Sequence, residues 1–186
     1  MVPVRAAMTG SSILRVSCGV VLRRLAASDL AAFQAYRRDA VLGRYQGWSA
    51  TSDEEAAAFL ADMGTHELLR PGAWSQIGIA ESGSPVLVGD IGLLLALDGQ
   101  RAEIGITVRR ESQGRGIATT AVREAIDLVF ELTQAGEVLG ITDARNLPSM
   151  RLLERVGMQR VGSRSAVFRA ETCVEYIYAV SRQHGA

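Results

Sequence analysis

The most constraining feature of this sequence is a strand, a glycine-containing turn and a helix in immediate succession between Glu103 and Leu132. Glu103-Ile-Gly-Ile-Thr-Val108 is short and rich in β-branched residues, which predicts a strand. Ile117, Ala121, Ala125, Leu128 and Leu132 recur at helical spacing, which predicts a helix over 117–132. Between the two run Gln113, Gly114, Arg115 and Gly116. Small residues there let backbone N–H groups come close to a ligand. The opening turn of the helix adds unpaired donors and the positive end of its dipole, so the unit favours an anion such as a pyrophosphate. Arg109, Arg110 and Arg115 place positive charge around the same turn.

Two familiar nucleotide loops are excluded by the residues present. A dinucleotide fold needs a third glycine, and Thr119 occupies that place. A P-loop needs a lysine, and the chain contains none. The spacing that remains is Gln-x-x-Gly-x-Ala over Gln113 to Ala118.

The rest of the chain predicts one α/β domain. A first strand is expected over 19–25, then a helix over 30–39 with Ser28 as its cap. Tyr45 and Trp48 fall in a glycine-punctuated loop. Thr51 and Glu54 have capping-box spacing ahead of a helix with Ala56, Phe59, Leu60 and Met63 on one side. Three extended segments, 74–80, 86–97 and 102–108, are joined by short turns and predict an antiparallel meander. Residues 138–142 follow the long helix, so that strand should lie parallel to 102–108. A short helix with Leu152, Leu153 and Val156 on its apolar side and two closing strands, 158–161 and 174–180, complete the domain. Residues 1–17 read as a poorly ordered lead-in, leaving 18–186 as the folded unit.

Composition narrows the function. Acidic and basic residues balance at 20 each, which leaves no electrostatic footprint for nucleic acid or an anionic membrane surface. Cys18 and Cys173 lie far apart, form no metal-ligand spacing, and suit a reduced compartment. No signal-peptide pattern or apolar run long enough to span a bilayer emerges, so a soluble cytoplasmic protein is expected.

Four stretches in the second half occur in a recognisable order: Glu103 to Val108, Gln113 to Ala118, Thr142-Asp-Ala-Arg-Asn146-Leu-Pro-Ser149, and Glu154-Arg-Val-Gly-Met158. In order and spacing they resemble the GNAT superfamily of N-acetyltransferases, and within it the ribosomal-protein alanine acetyltransferase branch. The resemblance covers about residues 19 to 181, more loosely in the first half. It implies an α/β (α+β) fold. Its sheet would be mixed, mostly antiparallel and twisted, with a splayed parallel strand pair at the acyl-CoA site and flanking helices. It also implies acetyl-CoA as acyl donor and an amine acceptor, with a homodimer left open; composition adds the expectation of no metal, no nucleic acid and no membrane as partner.

Residue by residue, the resemblance implies that Ile106 and Val108 offer backbone groups to the thioester and the pantetheine arm. The amides of Gly114, Arg115, Gly116, Ile117 and Ala118, after Gln113, would hold the pyrophosphate, and Asn146 would bond the pantetheine chain. A helix cap is the plainer reading of Asn146. Many members carry a tyrosine acid where this chain has Leu153, which cannot donate a proton. Ser149 then becomes the candidate acid, with a helix cap as its plainer role. Glu103 is the candidate base, with Glu175 and Asp90 as further substrate contacts. Neither cysteine falls in these motifs, which favours direct attack over a thiol relay. The alternative is a non-catalytic acyl-CoA-binding domain. The acceptor stays open among a protein N-terminus, an aminoglycoside, a polyamine and an amino acid.

Overall fold

The computed structural model describes residues 12–183. Its centre is a single eight-stranded sheet. The first five strands are Ile13–Ser17 (β1), Val20–Arg24 (β2), Trp74–Glu81 (β3), Leu87–Leu95 (β4) and Arg101–Val108 (β5). Each pairs antiparallel with the next, as short connections require. Glu137–Asp143 (β6) lies parallel to β5, and Glu171–Ser181 (β8) inserts between β6 and Gln159–Phe168 (β7). The meander and the parallel crossover match the sequence expectations.

Helices cover both faces. Leu30–Arg37 (α1), Ala40–Gly43 (α2) and Asp53–Thr65 (α3) fill the excursion between β2 and β3. Ile117–Leu132 (α4) makes the crossover from β5 to β6, and Leu147–Arg155 (α5) joins β6 to β7. On α4, Ala121 and Ala125 are fully buried, and their small side chains bring the helix close to the sheet. Val122, Ile126 and Val129 then reach the core formed with Ile91, Leu93, Ile104 and Val138. Leu132, expected on that face, is 51% exposed at the last turn of the helix. A second core gathers Phe33, Tyr36, Leu60, Met63 and Leu87 under α1 and α3.

Several boundaries differ from the sequence expectations. Residues 13–17, assigned to the lead-in, form β1, while residues 1–11 of that lead-in lie outside the described residues. Cys18 and Gly19 both have positive φ, 44° and 80°, the geometry of a tight two-residue hairpin turn. Ser28 does not cap α1. Asp29 turns inward instead, accepting from the Ala26 N–H at 2.8 Å and pairing with both Nη atoms of Arg23. The capping box before α3 lies one residue later than expected, between Ser52 and Glu55. β7 extends far beyond 158–161 because β8 pairs with it as far as Phe168↔Glu171.

Candidate active site

The parallel pairing of β5 with β6 is brief. It runs from Arg101↔Glu137 to Glu103↔Leu139 and then stops, so the strands separate where the family resemblance places a splay. The freed edge of β5 is marked by two side chains. Gln46 Nε2 donates to the Ile106 carbonyl at 3.2 Å, and Gln113 Nε2 donates to the Val108 carbonyl at 2.8 Å. A strand residue directs its N–H and C=O to the same edge. Ile106 and Val108 therefore turn their backbone groups toward the opening, where an extended ligand can add as a strand does.

The turn after β5 is shaped for close approach. Gly114 and Gly116 have φ of 74° and 81°, and Gly116 is the residue preceding α4. A Cβ at either position would meet nothing within 4 Å, so the space beside the backbone is open. The first intrahelical bond runs from the Thr120 N–H to the Gly116 carbonyl at 3.1 Å. The N–H groups of Ile117, Ala118 and Thr119 precede that ladder and remain for an anion. Ile117 itself is buried, so its side chain anchors the turn while its backbone stays available.

The opening holds a cavity of about 70 Å³, room for a handful of water-sized groups. Its walls bring together Ile104, Ile106, Asn146 and Ser149 with Tyr45 and Gln46. Asn146 is also the cap of α5, its Oδ1 accepting from the Ser149 N–H at 3.4 Å. The cap reading of Asn146 is thus observed, while the capping role proposed for Ser149 does not hold, since Ser149 is the third helical residue. Leu153 lies at the base of the cavity, 5% exposed and packed against Gly140. The tyrosine position is apolar floor.

Glu103 stands apart from this cavity. Side chains alternate along a strand, so Glu103 and Gly105 face away from Ile104 and Ile106. On that face Arg164 Nε bonds Glu175 Oε2 at 2.7 Å, and a Cβ on Gly105 would meet nothing within 4 Å. Burial pushes the Glu103 carboxyl above the usual range. Arg164 opposes that shift and the nearby Glu175 charge adds to it. Acid and base candidates therefore flank the splay from opposite faces. Asp90 is placed differently from the expectation: it is 1% exposed and bound by Tyr36, by Arg37 Nη2 at 2.9 Å and by Gln76 Nε2 at 2.5 Å. Its lone pairs hold α1 to β4 and are not offered to substrate. Trp48 lies beneath the Arg37 guanidinium, 4.5 Å from the ring centroid, with Gly43 close behind it.

A family model described as an acetyltransferase (GNAT) domain matches residues 20–159. The chain belongs to the GNAT acetyltransferase family. It is 24% identical over 144 residues to the uncharacterized N-acetyltransferase p20 of Bacillus licheniformis, covering 77% of this chain and 80% of that one. A GNAT acetyltransferase from Bacillus anthracis superposes with a TM-score of 0.78 at 21% identity, over 91% of this chain and 98% of that one. The ribosomal alpha-N-protein acetyltransferase RimL, solved with coenzyme A, superposes with a TM-score of 0.78 at 17% identity, over 91% and 97%. These structural likenesses establish the shared fold.

In this GNAT fold the arginines near the anion turn already have partners. Arg115 makes two bonds to Glu81 at the end of β3, at 3.0 and 2.5 Å. Arg110 pairs with Asp39 at 2.8 Å, and Arg109 Nε donates to Ser112 at 2.9 Å. Glu81 therefore competes with any phosphate for Arg115. Glu81→Gln is expected to tighten CoA binding a few-fold at low ionic strength, the scale of an exposed ion pair. The gain should fade with salt, because such charges are screened over about 10 Å at 0.1 M. Titration of CoA and dephospho-CoA checks this, and affinities insensitive to salt, to the 3′-phosphate and to the substitution leave the arginines as surface. Among the described residues no cluster of His, Cys, Asp and Glu is placed to hold a metal ion, and no helix is long and apolar enough to cross a membrane.

Proposed function

We propose that this GNAT protein transfers the acetyl group of acetyl-CoA to a primary amine by direct attack, without a covalent acetyl-enzyme. The observation that carries the reading is the splay itself. Pairing ends at Glu103↔Leu139, and the resulting cavity gathers Ile106, Asn146 and Ser149 beside a turn open to an anion. The Ile106 N–H polarises the thioester carbonyl, and the amides from Gly114 to Ala118 hold the pyrophosphate. The amine nitrogen bonds the acetyl carbon as the carbon–sulfur bond breaks. Ser149 gives a proton to the departing sulfur, and Glu103 takes one from the amine through water. Such an enzyme would work in the cytoplasm without a metal. Thiol release measured against N-terminal Ala and Ser peptides, polyamines, aminoglycosides and amino acids tests the reading. Tight acetyl-CoA binding with no turnover on any of them would favour a non-catalytic acyl-CoA-binding domain.

Glu103 supplies a pH test with a definite sign. Its folded-state pKa is raised. Its favourable contribution to stability is present below the unfolded value and lost as pH rises through the folded value. At neutral pH the half-buried carboxylate is therefore a cost. Glu103→Gln should raise the melting temperature at pH 7 but not at pH 4, while slowing turnover. Wild-type turnover should climb with pH through a value above the ordinary carboxylate range. A melting temperature unchanged or lowered at pH 7 would contradict this placement of the charge.

A further inference from the structure

Gln46 sits where the two reactants must meet. It lines the cavity with Ile106, Asn146 and Ser149, and it reaches β5 from a loop 60 residues earlier in the chain. Its Nε2 donates to the Ile106 carbonyl at 3.2 Å. Only the nitrogen end of a carboxamide can donate to a carbonyl, so that bond fixes which way the amide points. The same loop is held from the other side of the opening. Arg169, at the tip of the β7–β8 hairpin, donates through Nη2 to the backbone carbonyls of Trp48 at 2.9 Å and Gln46 at 3.4 Å. A side chain restrained in this way has lost much of its freedom before any ligand arrives.

We propose that Gln46 positions the acceptor amine: its Oε1 accepts one amine N–H while its Nε2 stays on the Ile106 carbonyl. The inference rests on the acetyl-transfer reading above and adds the residue that aims the nucleophile. A neutral primary amine has one lone pair and two N–H groups. Attack requires the lone pair to face the acetyl carbon, so an N–H must be held by an acceptor on the wall. Asn146 Oδ1 is already engaged by the Ser149 N–H, and Glu103 is not among the residues that wall the cavity. Gln46 Oε1 is fixed next to Ile106, whose own N–H faces the thioester oxygen. One carboxamide would thus set the amine's direction relative to the carbonyl it attacks.

The test compares wild type with Gln46→Met, which keeps the length of the side chain without its polar atoms, and with Gln46→Ala. Arg169→Met is the graded companion: it loosens the loop that carries Gln46 but keeps the carboxamide, so its loss should be smaller than that of either Gln46 variant. Steady-state kinetics with an amine from the panel, acetyl-CoA titration and melting curves are measured on each. Both Gln46 variants should lower kcat/KM for the amine about 10- to 100-fold, the scale of a misaimed nucleophile. Their acetyl-CoA affinity should stay close to wild type, and Arg169→Met should lower kcat/KM by less than either. Wild-type kcat/KM in folded Gln46 variants would overturn the inference and leave the acetyl-transfer reading standing. A loss equally large in Arg169→Met, or one carried by weaker acetyl-CoA binding, would overturn it as well. Absence of wild-type turnover on every amine would remove both.

Discussion

Gly116→Leu abolishes acetyl-CoA binding in a protein that still folds; this is the expected result of the turn geometry. Gly116 has φ of 81° and precedes the first helical residue of α4. An L-residue in that conformation costs about 1–2 kcal/mol, a loss a domain of this size can bear. Apart from the adjacent residues, no protein atom lies within 4 Å of the added Cβ, so the side chain projects into open space. That same space is where an anion must approach the N–H groups of Ile117, Ala118 and Thr119. A leucine there removes the approach outright, and affinity should fall by about two orders of magnitude or more, as when a preformed anion site is blocked. Gly116→Ala separates the two effects. It carries the same backbone strain, so its melting temperature should match that of Gly116→Leu, while its methyl leaves part of the binding. Acetyl-CoA titration with both variants checks the result. Undiminished affinity in folded Gly116→Leu would remove the loop from the acyl-CoA site.

The unit around that glycine was legible because its signals are local. A short β-branched run in β5 gives way to helical spacing in α4 across a few residues, and the observed helix begins and ends where the pattern does, at Ile117 and Leu132. Caps were less legible. Ser28 and Asp29, or Thr51 and Ser52, are adjacent residues of capping chemistry, and the choice between them is made by distant partners. Asp29 is drawn inward by Arg23 on β2, which no reading of residues 26–30 contains. The strand at 13–17 became visible only through its pairing with β2. The separation of Glu103 from Ser149 was latent in the sequence: Glu103 and Ile106 differ by an odd number of positions, so one strand cannot turn both to the same side. Gln46 carried no signal of its own. Its meeting with Ile106 depends on how α2 and the following loop cross the sheet, a tertiary result that neither periodicity nor turn chemistry encodes.

The other large effect belongs to Ser149. Ser149→Ala should slow acetyl transfer about 100- to 10,000-fold, the range for loss of a general acid, while leaving acetyl-CoA affinity nearly intact. Negative charge develops on sulfur only as the carbon–sulfur bond breaks, so a proton donor there acts on the transition state and hardly on the ground state. The structure sharpens this expectation. Had Ser149 capped α5, its loss would have cost about 1 kcal/mol of stability and clouded any change in rate. Asn146 is the cap, and it bonds the Ser149 backbone N–H, which alanine retains. The melting temperature of Ser149→Ala should therefore stay near that of wild type. Leu153, in the tyrosine position, cannot take over the proton, so solvent entering the cavity is the remaining source. Single-turnover rates with acetyl-CoA prebound isolate the chemical step from product release. A larger kinetic solvent isotope effect in the variant than in wild type would mark proton delivery as the step that slowed. A stable Ser149→Ala protein that binds acetyl-CoA and turns over at the full single-turnover rate would assign the leaving sulfur's proton to water and reduce Ser149 to a wall of the cavity.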